Sequence, residues 1–224
     1  MHWIVTTMLV SALLLALAHG PLLARGMREP ADGAELGKLP YAKLVAPGPI
    51  FWLVAVVLAA QIASITADGP LRPVWLVYGS SVAALVWVDA YTTWLPQALS
   101  WVVTAELAAA GVIGFLMADA PLPFWHMLLG AGASLVVWWI FWLIGRGALG
   151  FGDVRLAPLA GAMGAITGMG GWFVALLASA LLAIVWGVTF GRRHPAPGTK
   201  SGFAYGPALW AGPYIALIWA SINH

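Results

Sequence analysis

The sequence predicts an all-α polytopic membrane protein, a bundle of about eight transmembrane helices with both termini outside. Three observations carry this expectation. Of 224 residues, 62% are hydrophobic and 8% charged, and the mean hydropathy is +0.92, well away from a soluble globular composition. The apolar residues fall into stretches of about 17 to 22, the length a helix needs to cross a hydrocarbon core of roughly 30 Å with its backbone groups bonded internally. Basic residues gather in alternate connections, as they do on the cytoplasmic side of membrane proteins.

The first span covers about residues 3–23. Ala16, Leu17 and Ala18 resemble a signal-peptide cleavage site. However, no Lys or Arg precedes the run, and cleavage would invert every later loop, so the segment reads as a retained span. Residues 24–48 form a polar connection too small for a domain of its own. The second, third, fourth and fifth spans cover about 49–67, 74–93, 97–117 and 125–145. The sixth, about 154–168, is short and rich in Gly and Ala, which suits close packing inside a bundle better than contact with lipid. The seventh covers 171–190; a connection with Pro195, Pro197 and Gly198 follows, and the eighth covers 206–223. Residues 1–224 read as a single membrane domain without a short repeat.

Arg25, Arg28, Lys38 and Lys43 lie between spans one and two, Arg146 and Arg155 between five and six, and Arg192, Arg193 and Lys200 between seven and eight. With eight alternating spans all of these fall on one side, which is then cytoplasmic, and only Arg72 falls on the other. The net charge of +2 is therefore a topology signal and gives no reason to expect a nucleic-acid partner. Cysteine is absent, which excludes disulfides, thiolate chemistry and Cys-ligated zinc. The five histidines lack the i, i+4 spacing of a helical metal site and read as loop or interfacial residues. No metal or cofactor is expected. The fourteen tryptophans read as lipid-facing and interfacial anchors.

Against this background two aspartates stand out. Asp89 ends an apolar run, and Asp153 closes the tetrapeptide Gly150, Phe151, Gly152, Asp153. An ionisable group near a bilayer costs roughly 2.5 to 3.5 kcal/mol on insertion scales, so it persists for a purpose. Their spacing lets one helix leave and another return, bringing both to the cytoplasmic edge. Two carboxylates sharing a partly desolvated site do not both ionise readily. The ionised member can take a proton from an attacking water while the protonated one donates to a scissile carbonyl and later helps protonate the leaving amine. Gly150 and Gly152 can adopt φ > 0 and admit an extended substrate closely, forming an active-site loop. Asp89 lies near the C-terminal end of its span, where the helix dipole disfavours an anion, and Asp153 precedes the sixth span, where it favours one. The base is then Asp153 and the acid Asp89. Bland readings compete: a juxtamembrane carboxylate for Asp89, a helix N-cap for Asp153. Glu106, inside span four, is a further intramembrane carboxylate that could pair with a polar neighbour or line a wet cavity.

At these residues the sequence resembles the prokaryotic type IV prepilin peptidases, membrane aspartyl proteases of the Gly-x-Gly-Asp type. Residues 150–158, GFGDVRLAP, resemble the family's second-aspartate motif; residues 89–100, DAYTTWLPQALS, the first; and residues 203–212, FAYGPALWAG, its last-span stretch. The likeness runs from about residue 75 to the end. It implies Asp89 and Asp153 as the catalytic pair, supported by Pro96, Arg155, Gly206 and Pro207. Gln97 stands where the family often has Asp or Asn, and Arg155 where Lys is common. The larger members carry paired Cys-x-x-Cys motifs between the first two spans and also N-methylate the product. With no Cys, this chain resembles the compact, peptidase-only form. The implied substrates are pilin-like precursors with a short basic leader, cut at the cytoplasmic face of the prokaryotic plasma membrane. Glu29, Asp32 and Glu35 are candidates for leader recognition beside their reading as solvated loop charges. Two rivals are a presenilin or signal-peptide-peptidase-like protease, which shares the Pro207, Ala208, Leu209 stretch but not the residue before Asp89, and a small transporter using Asp89, Glu106 and Asp153 as ion sites.

Overall fold

The computed structural model describes residues 2–23, 40–145, 150–190 and 204–223. Glu29, Asp32 and Glu35, and the basic residues Arg25, Arg28, Lys38, Arg146, Arg192, Arg193 and Lys200, lie outside the described residues. The described residues form helices joined by short connections, with no strand among them, and all eight apolar runs form helices. These are α1 (His2–Leu17), α2 (Pro47–Thr66), α3 (Gly69–Thr92), α4 (Gln97–Met117), α5 (Leu122–Gly145), α6 (Phe151–Gly164), α7 (Met169–Phe190) and α8 (Gly206–Asn223). Five of them, α2, α3, α4, α5 and α7, are long and apolar enough to cross a membrane. At a rise of 1.5 Å per residue, the 14-residue α6 covers only about 21 Å.

The chain divides into two compact units, Met1–Asp119 and Ala120–His224. In the first, α3 is the central rod. Of its most apolar stretch 72% is buried, against 33% for α2 and for α4. The outer faces of α2 and α4 carry Phe51, Trp52, Ile62, Trp101, Ile113 and Leu116, the composition expected where hydrocarbon replaces water. Two helices depart from α geometry. After Leu17, α1 continues as a π-helical turn, Ala18–Leu23, around Pro21. Within α3, the segment Tyr78–Val82 is also π-helical, and all five of its residues are buried. Such turns concentrate at functional sites.

In the second unit α6 is the buried helix. Ten of its fourteen residues are buried, and α5, α7 and α8 pack around it. The Gly- and Ala-rich composition anticipated this. In lipid, helix association depends on close packing rather than on exclusion of water, and small residues permit that approach. A Cβ on Gly130 of α5 would stand 2.5 Å from both the Ala165 Cβ and the Gly161 carbonyl oxygen. A Cβ on Gly161 would collide with Ser134 Oγ. Trp172 Nε1 donates to Ser134 Oγ at 2.7 Å, joining α7 to α5. Ser179 Oγ donates to the Leu209 carbonyl at 3.4 Å, joining α7 to α8. The turn from α6 to α7 passes through Gly168 at φ 104°, a conformation that suits glycine.

Candidate functional site

Asp89 belongs to the first unit, where it sits in the last turn of α3, 4% exposed. Its carbonyl accepts from Thr93 N at 2.6 Å, and Thr93 closes the helix in the left-handed region, at φ 56°. That conformation normally selects glycine, and for a β-branched residue it is an outlier of the kind that collects at functional sites. Among the described residues Thr93 alone has positive φ without being glycine. Sequence reasoning missed it, because nothing in an apolar-to-polar transition marks which residue will carry the left-handed turn. Thr92 Oγ1 donates to the Val88 carbonyl at 2.7 Å and accepts from Trp94 N at 3.2 Å, bracing the turn. Pro96 is the N-cap of α4, and its carbonyl accepts from Ser100 N at 2.9 Å. Asp89 therefore lies in the helical turn just before the four-residue connection 93–96, which Pro96 closes.

Asp153 belongs to the second unit and is 7% exposed. Here the structure corrects three expectations. Helix α6 begins at Phe151, so Asp153 is its third residue and neither precedes the helix nor caps it; Gly150 is the N-cap. Gly152 lies within the helix and is not a loop residue. Gly150 has φ −70° and ψ 140°, so the positive-φ freedom ascribed to the two glycines goes unused. The structure assigns Gly150 a different role. A Cβ there would lie 3.3 Å from Asp153 Oδ2, a tight contact that glycine avoids. Pro158 falls inside α6, beyond its first turn. The third position of a helix keeps Asp153 against exposed N–H groups and the positive end of the dipole, which stabilises a carboxylate. Asp89, by contrast, lies among the last carbonyls of α3, which disfavour one.

The residues around Asp153 come from three helices. Tyr205 is the residue before α8; its carbonyl accepts from Ala208 N and Leu209 N at 3.1 Å each, so Gly206 and Pro207 form the opening turn of that helix. The Tyr205 ring meets Trp138 of α5 edge-on, with centroids 6.1 Å apart. Burial pushes the Tyr205 phenol above its ordinary range, and the Asp153 charge adds to this, which sets the two side chains near each other. Arg155 spreads its guanidinium over the Phe151 ring, 4.9 Å from the centroid, and Phe151 in turn packs edge-on against Trp142. Asp153, Gly150, Tyr205, Gly206 and Pro207 thus gather where α6 and α8 begin.

Away from the aspartates, Glu106 does have the polar neighbour considered for it. His19 Nε2 lies 2.8 Å from Glu106 Oε1. The reading of the histidines as loop or interfacial residues fails for His19, which is buried within the first unit. Sequence inspection had no means of pairing groups so far apart in the chain. Among the described residues no three His, Cys, Asp or Glu side chains converge in a way that could hold a metal.

Comparison with known proteins agrees with the motifs. A prepilin leader peptidase/N-methyltransferase from Pseudomonas putida is 32% identical over 162 residues, an alignment covering 63% of this chain and 52% of that protein. The chain thus spans about half the length of this curated relative. No solved structure matches it. The sequence model of the type IV leader peptidase family matches residues 76–188, half of the chain and a region that includes both Asp89 and Asp153. The chain belongs to the type IV leader peptidase family.

Proposed function

We propose that this protein is an aspartyl endopeptidase that removes the short basic leader of type IV pilin-like precursors at the cytoplasmic face of a prokaryotic plasma membrane. The observation that carries the reading is the family match across both aspartates, joined to their opposite helix-end environments. Asp153, at the start of α6, is the ionised base; Asp89, at the end of α3, is the protonated acid. Asp153 takes a proton from water as the water oxygen attacks the scissile carbonyl carbon, and Asp89 gives its proton to the carbonyl oxygen. When the C–N bond breaks, the proton held by Asp153 passes to the leaving amine, and Asp89 recovers one from a hydroxyl of the tetrahedral intermediate. Both carboxylates return to their starting states. The two protons titrate as a coupled pair, so the division between acid and base is a bias.

The supporting residues take limited parts in this reading. Gly150 leaves room for the Asp153 carboxylate, and Pro96 starts the helix after the Asp89 turn. Gly206 and Pro207 start α8 beside Tyr205, while Arg155 keeps a cation near the entrance to α6. The relative's name includes an N-methyltransferase, but the reading here is confined to the peptidase. Family membership also favours leader cleavage over ion transport and over presenilin-like proteolysis.

The test is cleavage of a pilin-like precursor by the purified protein in liposomes, followed by mass spectrometry. Wild type should cut at the leader junction, and Asp89→Asn and Asp153→Asn should each lower the rate by about a thousandfold or more, as removal of one member of a catalytic unit does. An unchanged rate in either variant, or no cleavage by folded wild type, would sink the reading.

A further inference from the structure

Inside the first unit, two ionisable side chains that the proposed reaction does not use stand against each other. His19 lies in the π-helical turn that ends α1, and Glu106 in the middle of α4; Nε2 and Oε1 are 2.8 Å apart. The other ring nitrogen, Nδ1, is 2.7 Å from the Leu15 carbonyl oxygen. A carbonyl only accepts, so Nδ1 carries a hydrogen. The contact between Nε2 and Oε1 then needs one more proton, either as imidazolium facing carboxylate or as neutral imidazole accepting from a carboxylic acid. Without that proton a ring lone pair faces a carboxylate, and the contact cannot hold.

The surroundings point the same way. Ser81 Oγ and Glu106 Oε2 are both buried without a hydrogen-bond partner, and the Ser81 hydroxyl lies near the carboxylate. Ser81 belongs to the π-helical segment of α3, so the pair sits where that helix departs from α geometry. A mechanical link also leads toward Asp89. A Cβ on Gly20, next to His19, would be 3.0 Å from Leu53 Cδ2 and 3.2 Å from Trp87 Cζ3, so the turn after α1 lies directly on Trp87. Trp87 Nε1 donates to the Pro49 carbonyl at 2.9 Å, and Asp89 is two residues further along α3.

We propose that His19 and Glu106 form an intramembrane proton-binding site that clamps the end of α1 to α4 and, through Gly20 and Trp87, holds the α3 turn that carries Asp89. One bound proton closes the clamp and its loss opens it, so the clamp releases on the alkaline side. The charge acting on each member is that of the other. The remaining titratable side chains described on neighbouring elements are Tyr41 and Lys43, then Asp68 before α3, Arg72, Tyr78, Asp89 and Tyr91 along α3, and Asp119 after α4; α2 has none. His19 and Glu106 are positioning residues, and their effect on cleavage rests on the peptidase reading, whereas the clamp itself does not.

The chain has no cysteine, so spin labels at Leu14→Cys and Val102→Cys, 64% and 43% exposed on α1 and α4, report one distance in the full-length protein in lipid nanodiscs. The distribution should be narrow at about pH 5 and broaden toward about pH 11 as the shared proton is lost. Glu106→Gln can hydrogen-bond His19 without a titrating proton and should stay narrow throughout; His19→Ala should be broad throughout. A wild-type distribution that does not respond to pH, a Glu106→Gln response equal to wild type, or a narrow His19→Ala distribution would overturn the clamp. In the cleavage assay the alkaline limb of kcat should fall about tenfold less per pH unit in Glu106→Gln, because one fewer proton is coupled. Equal slopes with a pH-responsive distance would remove the link to Asp89 and leave the clamp standing.

Discussion

Thr93 holds a left-handed backbone conformation that costs an L-residue roughly 1 to 2 kcal/mol, immediately after the turn that carries Asp89. Replacement by glycine should therefore stabilise the protein by about 1 kcal/mol, read as a higher thermal midpoint in detergent. An unchanged or lower midpoint would mean that the threonine side chain repays its own strain. Tyr205 gives a second prediction at this scale. Its phenol, raised by burial and then by Asp153, should titrate above the usual value of about 10 in an ultraviolet difference spectrum, and Asp153→Asn should bring it part of the way down. The sign follows from charge, since a phenolate beside a carboxylate is repelled and the neutral form persists to higher pH. Asp89 and Asp153 stood out as candidates in the sequence because they are rare charges flanked by motifs. The surroundings of Asp153 were not legible there, because Tyr205 and the Trp138 ring that it meets belong to other elements and reach its neighbourhood only when the helices have packed.

Helices were the most legible level, since a run long enough to cross hydrocarbon has few alternatives to becoming one. The π-helical stretches were hidden, because a segment apolar on every face shows no periodicity whose change could reveal them. The start of α6 was misread for a related reason. Glycines suggest a loop, yet Phe151 and Gly152 join the helix, where an aspartate at the third position favours its first turn. Two glycine substitutions separate the causes of helix placement. Gly130→Ala puts a methyl against the Gly161 carbonyl and should cost about 1 to 3 kcal/mol by forcing α5 from α6. Gly168→Ala meets nothing within 4 Å and should cost about 1 to 3 kcal/mol through backbone strain alone. A shortening of the side chain at Ala165, whose Cβ faces Gly130, should partly rescue the first and leave the second unchanged; equal rescue would contradict the distinction.

For the whole molecule, the distribution of Lys and Arg predicts that the connection from α3 to α4 faces the cytoplasm and the one from α4 to α5 faces outward. In intact cells an impermeant maleimide should label Ala120→Cys, while Gln97→Cys should react only after permeabilisation; the reverse pattern would invert the orientation. Both positions are exposed at helix boundaries, and the chain offers no competing thiol. The π-helical segment Tyr78–Val82 has a consequence for how such a chain can change over time. A π turn holds one residue more than an α turn, so it amounts to an insertion absorbed without breaking the rod. Deleting one residue there would return the segment to α geometry and leave Asp89 near its present bearing, whereas deleting one elsewhere in α3 would swing everything after it, Asp89 included, by about 100° about the helix axis. The bearing of the proposed acid is thus set in whole-residue steps, and outside Tyr78–Val82 α3 should tolerate exchanges of one apolar side chain for another far more readily than a change in its length.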